Sequence, residues 1–166
     1  TGIGGGTVRD LLLNTDQVFW ILDTTYLWTC IAAATVTWFL ARRFASLHTP
    51  LLWADAMGLA LFSVLGTMKA LDWGAPVIVS VGMGMMTASF GSLIRDGLLG
   101  QPPVLLEPNI YVTAAALGAI SYAVLQSYTT TAAFALPVAV TAAFALRAAA
   151  ILLDLRLPKY QDNAST

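Results

Sequence analysis

Two adjacent pairs of opposite charge, Arg9-Asp10 and Arg95-Asp96, stand inside apolar sequence, and a lone cation, Lys69, lies between them. A charge within a membrane helix is costly, so it faces a partner or a water-filled cavity and marks a solute or ion pathway. The small residues Thr1-Gly2-Ile3-Gly4-Gly5-Gly6-Thr7-Val8 precede the first pair, and Thr87-Ala88-Ser89-Phe90-Gly91-Ser92-Leu93-Ile94 precede the second. With an offset of 86, Thr1 falls on Thr87, Gly5 on Gly91, Arg9 on Arg95, Asp10 on Asp96, and Leu12-Leu13 on Leu98-Leu99. Glycine costs about 1 kcal/mol relative to alanine in a helix and bares backbone carbonyls. At membrane depth freed backbone is tolerated only where protein or water satisfies it. Gly4, Gly5, Gly6 and Gly91 therefore read as kinks that turn carbonyls toward an aqueous pathway. Close helix packing at small residues is the alternative.

Residues adjacent on a helix point about 100° apart. Arg9 and Asp10, and likewise Arg95 and Asp96, are therefore expected to seek partners elsewhere, including across the two copies. Lys69 reads either as a snorkelling lysine near Asp72 or as a movable cation in the outer vestibule. Such a cation would occlude the pathway and respond to voltage, at about 2.3 kcal/mol per charge per 100 mV. The hydroxyls of Thr7, Ser63, Thr67, Thr87, Ser89 and Ser92, with the kink carbonyls, are suited to replace part of an ion's hydration. No ring of carboxylates is visible, which predicts weak discrimination among monovalent cations. Asp55 reads as the head of a helix, where a carboxylate suits the dipole.

Enzymatic chemistry is disfavoured. His48, placed in a loop, and Cys30, placed in an apolar helix, are the only histidine and the only cysteine. An intrachain disulfide is therefore excluded, a His/Cys metal site and a Ser-His-Asp triad are disfavoured, and no cofactor is implied. A net charge of −1 argues against a nucleic-acid partner.

The elements that must hold these residues are membrane helices. The 166 residues are 58% hydrophobic and 10% charged, against about 25% charged in soluble domains. A spanning helix needs roughly 20 apolar residues. The first segment is the tail of a helix ending near Leu13, followed by a turn at Asn14-Thr15-Asp16 and an interfacial anchor at Val18-Phe19-Trp20. Further segments run from Thr24 to Ala41, Trp53 to Leu71, Val77 to Leu99, Asn109 to Gln126 and Thr131 to Leu153. Pro50 closes the polar loop that carries Arg42, Arg43 and His48, and Pro137 falls inside the last segment. Ala114 and Gly118, with Ala115 and Ala119, form a small-residue face suited to tight helix contact. The predicted organisation is all-α. One transmembrane domain covers residues 1–157, with a repeat remainder at 1–41, a second repeat at 53–126 and a final helix at 131–153. A polar tail fills 158–166.

Arg42, Arg43, His48, Arg95, Arg156 and Lys159 fall on one side, and Asp16, Asp23 and Asp72 on the other. The positive-inside rule makes the first side, and the C-terminus, cytoplasmic. Three spans separate the two copies, and an odd number inverts the second relative to the first. Inverted repeats of this kind build transport folds around a two-fold axis in the membrane plane. A complete first repeat predicts one further helix ahead of Thr1, and about seven spans in all.

The blocks Gly2-Ile3-Gly4-Gly5-Gly6-Thr7-Val8-Arg9-Asp10-Leu11-Leu12, Phe62-Ser63-Val64-Leu65-Gly66-Thr67-Met68-Lys69-Ala70-Leu71 and Gly91-Ser92-Leu93-Ile94-Arg95-Asp96 resemble bacterial members of the trimeric intracellular cation channel family. The resemblance covers nearly the whole chain. It implies two inverted three-helix repeats plus a final helix, assembled as a homotrimer among the lipids of the bacterial inner membrane, with one hourglass pore per subunit. It also implies passive conduction of monovalent cations, chiefly potassium. Gly4, Gly5, Gly6 and Gly91 then match the kinks, and Lys69 matches a pore-side lysine implicated in gating. The second copy departs from the first in carrying one glycine where the first has three, so the two kinks would differ in angle. A small-solute carrier working by alternating access on the same repeat is the competing reading. A structural module without a pathway is a third.

Overall fold

A computed structural model describes residues 1–41, 48–100, 110–128 and 132–155. Seven helices are found among these residues, and no strand. They are α1 (Gly4–Leu12), α2 (Phe19–Leu22), α3 (Thr25–Ala41), α4 (His48–Asp72), α5 (Val77–Leu99), α6 (Val112–Tyr128) and α7 (Ala132–Leu152). The expected order and number of segments are reproduced, with the anchor at Phe19-Trp20 forming the short α2. Arg42, Arg43, Arg156, Lys159 and the polar tail lie outside the described residues.

Local chemistry explains the boundaries. After α1 the chain turns at Asn14, with φ of 50°, a left-handed conformation that asparagine tolerates. Asp23 accepts a hydrogen bond from the Thr25 N–H at 2.9 Å as α3 begins. The Thr25 hydroxyl and this backbone bond hold the Asp23 carboxyl below its ordinary range. Gly74, with φ of 83°, and Pro76 separate α4 from α5. Gly100 ends α5 in the left-handed region, its N–H turned back on the carbonyls of Asp96 and Gly97, as glycine does at helix C-termini.

One boundary differs from the sequence reading. The polar loop was expected to reach Pro50, with His48 inside it and the helix starting at Trp53. Instead α4 starts at His48. Proline is tolerated in a first turn, where its missing N–H has no intrahelical acceptor. Asp55 therefore stands about two turns inside α4 rather than at its head.

α4 is the centre of the bundle. It packs on α5, α6 and α7, while α5 also packs on α1 and α6, and α6 on α7. The core is thin-walled: Ala56, Ala60, Ala114, Ala119, Ala139 and Ala143 are fully buried. A Cβ on Gly118 would come within 2.8 Å of both the Ala143 Cβ and the Ser63 Oγ, so the small-residue face of α6 is a close contact, as expected. The outside is apolar, with Leu98 83% and Ile78 80% exposed, which suits lipid. Three helices, Thr49–Asp72, Val77–Leu99 and Phe134–Leu152, are long and apolar enough to cross a membrane, and Thr25–Leu40 and Val112–Tyr128 are shorter apolar helices.

Candidate functional site: a cavity between crossed helices

The two copies meet where α1 crosses α5. A Cβ on Gly5 would strike the Thr87 carbonyl, and a Cβ on Gly91 would strike the Thr1 carbonyl. Because Gly5 corresponds to Gly91 and Thr1 to Thr87, these are one contact made twice. Such reciprocity is what a two-fold axis produces. Gly4 sits in the same crossing: its Cβ would lie 3.4 Å from the Gly91 Cα. Gly4, Gly5 and Gly91 thus let two backbones touch, where α1 begins and within the continuous α5. Gly6 serves another purpose, since its missing Cβ leaves room for the Phe19 ring, whose Cε1 would lie 2.6 Å away.

Beside the crossing lies a cavity of about 420 Å³ between α1, α4 and α5. Its lining follows α4 from Ala54 and Asp55 to Lys69 and Asp72. Seventeen residues of helix rise about 26 Å, most of the roughly 30 Å hydrocarbon thickness. The wall is mainly apolar, with charges at both ends.

At one end Asp10, 0% exposed, gathers four donors. Arg9 grips its Oδ1 through Nη2 at 2.7 Å and Nε at 2.8 Å. The Lys69 Nζ reaches Oδ2 at 3.0 Å, and the Phe19 backbone N–H donates to the same oxygen at 2.9 Å. A carboxylate offers about four lone-pair sites, so Asp10 is saturated. The expectation that Arg9 and Asp10 would not pair is corrected. The arginine side chain is long enough to fold back on its neighbour, and in a dry site nothing competes for the carboxylate. The expected partner across the copies is present as well, because Lys69 belongs to the second repeat. Phe19 lies under both cations, its ring centre 5.9 Å from the Arg9 guanidinium and 5.7 Å from the Lys69 ammonium.

At the other end Arg95 also pairs with its neighbour, Nε to Asp96 Oδ1 at 2.8 Å. Arg95 is the more open arginine, with 38% of its side chain exposed against 7% for Arg9. Asp55 faces the cavity here beside Tyr111, within electrostatic reach of Arg95 and Arg147. Neither Asp55 nor Asp72 makes an ion pair among the described residues. Arg147, expected to snorkel or to pack, is 5% exposed. Its guanidinium stacks 5.1 Å from the Tyr111 ring centre and donates to the Ile110 carbonyl at 3.3 Å.

The hydroxyls divide. Thr87 lines the cavity, while Thr7, Ser63, Thr67, Ser89 and Ser92 lie outside its lining. Most bond back to their own helix: Thr67 to the Ser63 carbonyl, Ser89 to Met85 and Ser92 to Ser89. Thr7 also accepts from the Trp20 indole N–H at 3.0 Å. No group of three or more potential metal ligands occurs among the described residues.

Sequence reasoning missed Asp55, Phe19 and Tyr111 as cavity residues. For Asp55 a signal existed, a lone carboxylate two turns inside an apolar helix. For Phe19 and Tyr111 there was none.

Comparison with known proteins bears on this geometry. The family model described as "Glycine transporter" matches residues 1–42 and 52–127. A UPF0126 membrane protein of Vibrio cholerae is 36% identical over 161 residues, covering 96% of this chain and 67% of that protein. The UPF0126 inner membrane protein YadS of Escherichia coli is 35% identical over 169 residues, covering 96% and 78%. Among solved structures, the TRIC trimeric intracellular cation channel orthologue from Rhodobacter sphaeroides matches with a TM-score of 0.87 and 42% identity, over 92% of this chain and 79% of that one. A second TRIC cation channel matches with a TM-score of 0.90 and 31% identity, over 98% and 80%. These proteins are membrane proteins and channels rather than enzymes. With duplicated helices crossed at matching glycines, a fold shared with solved TRIC channels and bacterial relatives aligned along nearly its whole length, the chain belongs to the trimeric intracellular cation channel family.

Proposed function

We propose that this protein is a passive channel for monovalent cations, chiefly potassium, with one pathway in each subunit of a homotrimer. The reading places it in the bacterial inner membrane with its C-terminus cytoplasmic. The observation that carries it is a cavity nearly as long as the membrane is thick, with a carboxylate at each end, Asp72 and Asp55, that makes no ion pair among the described residues. The carboxylates raise the local cation concentration at the two mouths. Along the wall Arg9 is neutralised by its pairing with Asp10. Lys69 has a third of its side chain exposed and is the mobile charge: docked on Asp10 it narrows the pathway, and released it clears it. The backbone at Thr1, Gly2 and Gly91, with Thr87, supplies the polar wall between the mouths. Weak discrimination among monovalent cations follows from so few fixed oxygens.

Single-channel recording of the full-length protein in planar bilayers under a potassium gradient tests this, with Lys69→Ala beside wild type. Discrete steps that reverse near the potassium potential, with open probability or conductance altered by Lys69→Ala, are expected. Silent bilayers, with saturable amino-acid uptake in liposomes from the same preparation, would replace the channel with a carrier. The description of the matching family model favours that second reading.

A further inference from the structure

We infer that Phe19 is a positioning residue that holds Lys69 docked on Asp10, an inference that rests on the gating part of the proposed function. The ring is fixed from four directions. Its backbone N–H is bonded to Asp10 Oδ2 at 2.9 Å. Its face lies under both Arg9 and Lys69. Tyr26 meets it edge to face at 5.0 Å between centres and 82° between planes. The space left by Gly6 receives its edge. The ring lines the cavity together with Arg9 and Lys69.

The two cations depend on this ring to different degrees. Arg9 is held by two bonds to Asp10 and is nearly buried, so it stays in place without the aromatic face. Lys69 has a single bond, to Asp10 Oδ2, and 33% of its side chain exposed. Among the described residues the ring and Asp10 are the two attractions recorded for Lys69, and both are lost when the ammonium leaves. A cation–π contact therefore weights the docked state over the released one. Its usual strength corresponds to about a two- to thirty-fold change in that equilibrium. Phe19 belongs to α2, a single-turn helix whose main packing among the described elements is on α1 and α3.

The test uses the full-length protein in planar bilayers in symmetric potassium chloride. It compares Phe19→Leu, Phe19→Met and Phe19→Tyr, each with and without Lys69→Ala. The expected result is an open probability raised two- to thirty-fold by the leucine and methionine variants. Phe19→Tyr, which keeps the π face, should stay near wild type. In the Lys69→Ala background the Phe19 substitutions should add nothing further. Equal effects with and without Lys69 would overturn the inference and make Phe19 a packing residue. A change with Lys69→Ala but none with Phe19→Leu or Phe19→Met would overturn it while leaving the lysine gate intact. No change with Lys69→Ala would remove the gate itself, and the inference with it.

Discussion

Gly5→Ala adds a single methyl group at the point where the two repeats touch. Its Cβ would be directed at the Thr87 carbonyl carbon and oxygen, backbone atoms of a second helix that cannot rotate away. A carbon needs roughly 3.3 Å or more from a carbonyl oxygen, so α1 and α5 must separate. Overpacking costs about 1–3 kcal/mol, with the upper part of that range applying when the obstacle is backbone. Alanine recovers about 1 kcal/mol in helix propensity, leaving a net loss of about 1–2 kcal/mol. For a protein of this size that lowers the melting temperature by roughly 2–8 °C. Thermal unfolding in detergent, followed by loss of monodisperse protein, reads it directly. The control is Gly82→Ala in α5, where an added Cβ meets nothing within 4 Å and stability should hold or rise by up to about 1 kcal/mol. Thr87→Ala should not rescue Gly5→Ala, because the obstacle is main chain. If Gly5→Ala melts at or above wild type while conducting normally, the reciprocal contact is not the constraint described.

Asp55→Asn removes one charge from a cavity mouth. A charge roughly 6 Å from the ion path in water is worth about 0.7 kcal/mol, so conductance near 0.1 M salt should fall about threefold, with cation-over-anion selectivity reduced. In 1 M salt, where the screening length is about 3 Å, the difference should largely vanish in the same recordings. Asp10→Asn leaves Arg9 and Lys69 facing a neutral group and should cost about 3–5 kcal/mol, the usual penalty for breaking a buried ion pair. Asp96→Asn should cost less, because the more exposed Arg95 can rehydrate. Melting temperatures of the two variants side by side check that order.

Much of this architecture was legible in the sequence because membrane helices announce themselves. Apolar length, turn residues and the duplicated Arg-Asp blocks placed every helix within a few residues, and α5 was read at Val77–Leu99 without error. The start of α4 was missed because a proline can either close a loop or open a helix. The site was less legible for a different reason. Ideal helix geometry sets the directions of Cβ atoms, not the reach of an arginine, so the pairing within Arg9-Asp10 was not foreseen. The hydroxyls were recognisable as polar groups in apolar helices, but a serine that bonds back to its own helix looks the same in sequence as one that faces a pathway. Phe19 and Tyr111 acquire their positions from tertiary packing alone.

The duplication that builds the cavity did not make its ends alike. At one end stand an exposed carboxylate, a partly exposed lysine and the buried Arg9-Asp10 pair. At the other stand a partly buried carboxylate, the more open Arg95-Asp96 pair and a buried arginine stacked on a tyrosine. An ion entering from either side therefore meets a different sequence of wells and barriers. Such a pathway carries unequal currents at equal and opposite voltages. Rectification is then written into the divergence of two copies that began the same, and its direction reports which way the lysine end faces in the membrane.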